Sequence, residues 1–128
     1  MNNNEHLEHL QALSSSYLGF EFEFFSDMLN GEIKSSMEKN FGKRIKICDR
    51  YHSKFIPTRE EFKLEPDYSG GSRMYELITG PMKYQEAIPI MYRVLRWIEQ
   101  NGYTTDSSAF QFSISFDKFD REIKTKME

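Results

Sequence analysis

Hydrophobic and polar positions alternate most strictly over Gly19-Phe20-Glu21-Phe22-Glu23-Phe24-Phe25, where aromatic and acidic residues take turns. Side chains repeat every second residue along a strand, so this predicts a strand over 17–25. Phe20, Phe22 and Phe24 then share one face, and Glu21 and Glu23 the other. A second alternation sets Phe110, Phe112, Ile114 and Phe116 against Gln111, Ser113 and Ser115 and predicts a strand over 109–116. From Lys83 to Gln100 the period changes. Ala87, Ile88, Met91, Val94, Leu95 and Ile98 recur at three- and four-residue spacing, which predicts a helix with one buried face. Pro89 falls within its first two turns, and Asn101-Gly102 provides the stop.

Shorter signals fill the remainder. After the first strand, Ser26-Asp27 leads to a turn at Asn30-Gly31. Glu32 to Phe41 has helical composition and closes at Gly42, a C-cap position. Lys43 to Asp49 alternates basic with apolar residues and reads as a second strand, with Lys43, Arg44 and Lys46 on a solvated face. Phe62-Lys63-Leu64-Glu65 reads as a third. Pro66 to Ser72 is a dense turn cluster, and Arg73 to Thr79 a fourth strand that Gly80-Pro81 ends. Strand, helix, strands, helix, strand in that order predicts an α+β domain, a curved and mostly antiparallel sheet packed on its aromatic face by the 83–100 helix. Residues 1–16 form an N-terminal helix or tail, with Leu7, Leu10 and Leu13 at three-residue spacing and His6 and His9 as surface residues. Residues 17–117 form the domain, and 118–128 a charged C-terminal segment.

Composition narrows the function classes. At 128 residues the chain is one domain's worth, and its 11 Phe and 7 Tyr supply core volume that a hydrophobic content of only 38% would otherwise lack. A net charge of -3 gives no basic footprint, which argues against a nucleic-acid partner. No run of 18 apolar residues and no leader pattern is present, so a membrane span is not expected. The single cysteine, Cys48, suits a reducing, cytoplasmic setting and reads as a small buried hydrophobe; His52 is its one nearby partner in sequence for activation.

The chemistry rests on carboxylates. Glu21 and Glu23 are neighbours on one strand face, where like charges repel unless a hard cation bridges them. Glu76 lies mid-strand between Tyr75 and Leu77, and Asp67 and Ser69 in the preceding turn reach the same rim. Three strand carboxylates on one face offer oxygen ligands for Mg²⁺ or Mn²⁺, cations that also hold nucleotide phosphates. The plain alternative is that Glu21, Glu23 and Glu76 line the wet face of a sheet.

Four segments in order resemble the amidoligase family, relatives of glutamine synthetase and gamma-glutamylcysteine ligase with a carboxylate-amine ligase fold. Gly19-Phe20-Glu21-Phe22-Glu23 resembles the family's opening Gly-x-Glu-x-Glu strand. Asp67-Tyr68-Ser69 with Tyr75-Glu76-Leu77-Ile78-Thr79-Gly80-Pro81 resembles its Asp-x-Ser and Glu-Leu-(Val/Ile)-(Ser/Thr)-x-Pro elements. The helix and then Ser108 to Ser115 follow. The resemblance spans Tyr17 to Asp117 and implies the N-terminal part of a glutamine synthetase-like catalytic domain. It implies an ATP-dependent ligase joining a small-molecule or peptide carboxylate to an amine, with Mg²⁺ (or Mn²⁺) and ATP as cofactors. Glu21, Glu23 and Glu76 match the metal ligands. Arg73 is the one nearby cation to meet phosphate. Where the family reads Gly-(Leu/Phe)-His-(Val/Ile)-His this chain has Ala109-Phe110-Gln111-Phe112-Ser113, so Gln111 offers an oxygen in place of an imidazole.

Two other readings stand beside the ligase. One is a ligase-like domain without catalysis that serves as a binding or assembly module, with a homo-oligomer or a protein partner. The other is a metal-dependent hydrolase or nuclease on the same carboxylates, ranked last for want of a general base and a basic groove.

Overall fold

The computed structural model describes residues 16–48, 54–66, 73–105 and 110–116, the residues after Phe110 in the last stretch through their backbone. The N-terminal 1–15, the 67–72 turn cluster, the C-terminal segment from 117, and His6, His9 and His52 lie outside the described residues. The domain is α+β, as its period changes predict. In chain order it comprises β1 (Ser16–Phe25), α1 (Asn30–Phe41), β2 (Arg44–Ile47), β3 (Glu61–Pro66), β4 (Met74–Ile78), β5 (Met82–Lys83), α2 (Tyr84–Asn101) and β6 (Phe110–Phe116). The six strands form one mixed sheet in which β2 and β3 run parallel and every other pairing is antiparallel.

β1 is the hub of this sheet. It pairs with β4 over Glu21–Phe25, with β5 at Tyr17 and Leu18, and with β6 over Ser16–Phe22. β5, a short pairing that the sequence pattern missed, resumes the β4 side of β1 after Gly80-Pro81. The register shifts by one residue there: Glu21 faces Ile78, whereas Leu18 faces Met82. Thr79 covers the break. Its amide donates to the Phe20 carbonyl at 2.9 Å, and its hydroxyl oxygen accepts from the Phe20 amide at 2.8 Å, so neither group of Phe20 is orphaned where proline cannot donate.

Phe20, Phe22 and Phe24 point to the helical side and are buried with Phe62, Leu64, Leu77 and Ile45. α1 covers them with Ile33, Met37 and Phe41, and α2 with Ala87, Ile90, Val94, Trp97 and Ile98. Trp97 stands edge-on to Phe24 at 5.6 Å, and its indole N–H donates to Ser36 Oγ at 2.8 Å, which ties the two helices together. Leu95, expected on the buried stripe, is 45% exposed, and Trp97 and Ile90 fill the core instead. Phe110 stacks on Phe22 at 4.7 Å but lies at the sheet margin, half exposed. Phe112 and Phe116, expected under the helix, take ladder positions opposite Phe20 and Ser16.

Local chemistry sets the helix ends. Asn30 and Gly31 are not a turn but the first two residues of α1, because Glu32 turns back to accept the Leu29 amide at 3.2 Å and stabilises an N-terminus two residues earlier. Gly42 ends α1 with φ 67°, a left-handed conformation, and donates to the Glu38 carbonyl. Pro89 is tolerated inside α2 because it and Gln85, whose carbonyl loses a helical donor, lie on the exposed side. Lys43, expected on a solvated face, is instead drawn in. It pairs with Glu86 at 3.2 Å, and Glu86 also binds Arg59 at 3.0 Å, so Arg59 and then Lys43 hold the Glu86 carboxyl below its ordinary range.

One glycine controls how the segment before β3 sits on the sheet. A Cβ at Gly80 would lie 2.3 Å from the Thr58 carbonyl carbon, so only glycine admits this backbone contact. Thr58 in turn closes a tight turn by accepting the amides of Glu60 and Glu61 on its hydroxyl. Gly80→Ala is expected to cost about 2 kcal/mol or more in urea unfolding, as overpacking against rigid backbone does. Gly31→Ala, where nothing lies within 4 Å, is expected to raise stability by about 0.5–1 kcal/mol in the same measurement.

Candidate functional site

The face of the sheet away from the helices carries the carboxylates. Directly paired residues of antiparallel strands share a face, and the register places Glu23 opposite Glu76 and Glu76 opposite Glu65, one glutamate on each of three adjacent strands. In the next row Glu21 faces Ile78, which faces Lys63. On the other side of β1, Gln111 takes the ladder position opposite Glu21, and Ser113 the one opposite Gly19.

This face is not the wet surface that the plain reading of the three glutamates expects. β3 and β4 are buried on both sides: Glu65 is 0% exposed, Glu76 7% and Lys63 8%, while Glu21 and Glu23 are half-buried. Residues 54–57 account for part of this cover. Lys54, Phe55, Ile56 and Pro57 wall a cavity of about 340 Å³ whose floor is Glu21, Lys63, Glu65, Glu76 and Ile78. The Gly80–Thr58 contact anchors the end of that wall.

Charges at such a depth must be compensated. Lys63 and Glu65, two residues apart on β3, form an ion pair of 2.7 Å. Glu76 is compensated differently. Burial, followed by the charge of Glu21, pushes its carboxyl up to about 7, and it shares a hydrogen bond with the Glu21 carboxyl; Glu23 and Glu65 add to the shift.

The structure therefore brings together Glu21, Glu23 and Glu76 and adds Lys63 and Glu65, which the sequence reading placed on a strand without a role. Their signal was present in the alternation of Phe62 and Leu64 with Lys63 and Glu65. The missing element was the register that sets Glu65 beside Glu76. Arg73 is engaged elsewhere, with backbone φ 70°: its guanidinium donates to the Asp27 carbonyl at 2.7 Å and lies 3.8 Å from the Asp27 carboxylate. Asp67 and Ser69 lie outside the described residues. Cys48 is buried, with Sγ 3.9 Å from the Lys46 carbonyl.

As metal ligands, the glutamates have the right chemistry, since hard carboxylate oxygens suit Mg²⁺ or Mn²⁺. Among the described residues no group of three His, Cys, Asp or Glu side chains stands ready in ligating geometry. Occupancy would require the side chains to turn toward one point. Among the described residues no helix is long and apolar enough to cross a membrane.

The raised Glu76 carboxyl has a thermodynamic consequence. Its folded form retains a proton that the unfolded chain releases near 4.5, so the native state binds more protons between about pH 4.5 and 7, and its contribution makes stability fall as pH rises through that window. Glu76→Gln is expected to remove that component, flattening the urea-derived stability between pH 5 and 7.5 by up to about 3 kcal/mol relative to the parent. A variant whose pH slope equals the parent's would show that Glu76 titrates normally. Comparison of the chain with family models, with curated proteins and with solved structures finds no match.

Proposed function

We propose that the acidic cavity is the metal and nucleotide face of an ATP-dependent carboxylate-amine ligase of the amidoligase type, built on the first part of a glutamine synthetase-like catalytic domain. The observation that supports it most is that Glu21, Glu23 and Glu76 share one sheet face, with Glu76 buried and its carboxyl raised to about 7 by burial and by the charge of Glu21. Such an arrangement is costly for stability alone and would become favourable were a divalent cation to bridge the carboxylates. The order of the Gly-x-Glu-x-Glu and Glu-Leu-Ile-Thr-Gly-Pro segments agrees with the family's pattern.

In this reading Glu21, Glu23 and Glu76 hold Mg²⁺. A bound Mg²⁺ would supply charge neutralisation for the phosphoryl oxygens on which activation of a carboxylate for attack by an amine depends. The chain's own residues supply the positioning. β1 and β4 fix three carboxylates through their ladder, Glu65 is paired with Lys63, and Phe55 and Pro57 line the cavity beside them.

A second reading, a ligase-like module without catalysis that binds or assembles, is favoured by one observation. Gln111 and Ser113, which replace the family's histidines, take the ladder positions beside Glu21 and Gly19, next to the carboxylate rows. The two readings separate in a thermal-shift titration. The ligase reading expects Mg²⁺ with ATP to stabilise the parent by about 2.7 kcal/mol at a hundredfold excess over Kd, and Glu21→Gln/Glu23→Gln to abolish the shift. No shift in the parent at millimolar Mg²⁺-ATP, together with a stable homo-oligomer by light scattering, would favour the module.

A further inference from the structure

The two edges of the sheet differ. At one edge β2 is four residues long, and α1 closes its outer side: the Ile45 amide donates to the Glu38 carboxylate at 3.0 Å, and the Lys34 ammonium donates to the Ile45 carbonyl at 2.6 Å. The exposed Arg44 and Lys46 add positive charge there. Short length, charge and satisfied backbone groups are what keep a sheet edge from pairing with another chain. At the other edge lies β6, whose strand neighbour among the described residues is β1 alone. Its sequence contains no charged residue and no proline, and its ladder runs without a bulge from Ser16 opposite Phe116 to Phe22 opposite Phe110. Phe110, stacked on Phe22 at 4.7 Å, is 49% exposed, so the aromatic face of β1 extends to this margin without being fully covered.

The sequence of β6 indicates what suits that edge. Phe-Gln-Phe-Ser-Ile-Ser-Phe is self-complementary about its centre. Laid antiparallel on a second copy with Ser113 opposite Ser113, it sets Phe110 against Phe116, Gln111 against Ser115 and Phe112 against Ile114. Directly opposed residues of an antiparallel pair share a face, so apolar meets apolar, polar meets polar, and no like charges are brought together. The same operation on β2 fails. Centred on Ile45 it opposes Arg44 to Lys46, and centred on Lys46 it sets that lysine against itself. We propose that β6 is the dimer strand of this protein: two copies pair through their β6 edges about a two-fold axis at Ser113, and their sheets become one continuous sheet. The interface is isologous, since each copy offers the same strand. Backbone hydrogen bonds supply its affinity, and the alternation of side chains fixes its register. This inference goes beyond the ligase reading and does not depend on it, because Glu65 and Glu76 lie on the other side of β1.

The test is the mass of the full chain in solution, by light scattering over a concentration series, for the parent, Ser113→Lys, Ser113→Glu and an equimolar mixture of the two variants. Within one copy, position 113 takes the ladder position opposite Gly19, a residue without a side chain. The parent is expected to be a dimer. Each variant alone sets like charges across the axis and is expected to weaken dimerisation by about tenfold or more, whereas the mixture restores it as a heterodimer. Ser113→Cys, close to isosteric, is expected to give a disulfide-linked dimer under oxidised glutathione, mapped by mass spectrometry to position 113 of both chains, since directly opposed Cα atoms lie within disulfide reach. A monomeric parent would overturn the proposal. Variants as dimeric as the parent would also overturn it, by putting the interface elsewhere. A mixture that stays monomeric while circular dichroism shows both variants folded, or a Ser113→Cys chain that does not link at 113, would remove the two-fold axis from Ser113. The cysteine variant decides the matter even where a charge at 113 unfolds the chain. Because the readout is mass and not nucleotide binding, failure here leaves the ligase reading standing.

Discussion

The two-residue period of β1 is the constraint on which the rest of the molecule depends. Because it is paired on both edges, β1 cannot slip by one residue without exchanging a row of phenylalanines for a row of glutamates. Its even-numbered residues lie in the core under α1 and α2, and its odd-numbered residues supply the acidic face. Core and site are therefore two sides of one pattern. Phe24 against Trp97 and Glu23 beside Glu76 arise from the same strand in the same register.

Two-sided burial of β3 and β4 converts that pattern from surface to site. On an exposed sheet, neighbouring glutamates would stay ionised and screened by water. Under residues 54–57, burial and the Glu21 charge raise the Glu76 carboxyl to about 7, and Glu65 is paired with a lysine. Glycine at position 80 links this chemistry to the fold, since its lack of a side chain lets the Thr58 backbone close over the sheet.

Much of the architecture was legible in the chain. The strands over Gly19–Phe25 and 110–116, the helix after Lys83 and the Gly42 cap follow from period and punctuation, signals that depend on residues close in sequence. The errors have equally local causes. Trp97 lies three residues after Val94 and seven after Ile90, on the buried α2 stripe, whereas Leu95 falls outside it; the indole N–H is met by Ser36 of α1. β5 escaped notice because two residues carry no period. Asn30-Gly31 reads as a turn until Glu32 is seen to reach back to Leu29.

For the site, the chain by itself determined which side chains share a face of each strand: Glu21 with Glu23, Lys63 with Glu65, and Glu76 away from Tyr75 and Leu77. Alternation within a strand is a property of the backbone and needs no partner. Only the tertiary structure decided that Glu65 stands beside Glu76, that Arg73 leaves for Asp27, and that Lys63, Glu65 and Glu76 are buried at the cavity. Those outcomes depend on strand register and on a crossing segment, both of which are set by contacts between residues far apart in the sequence.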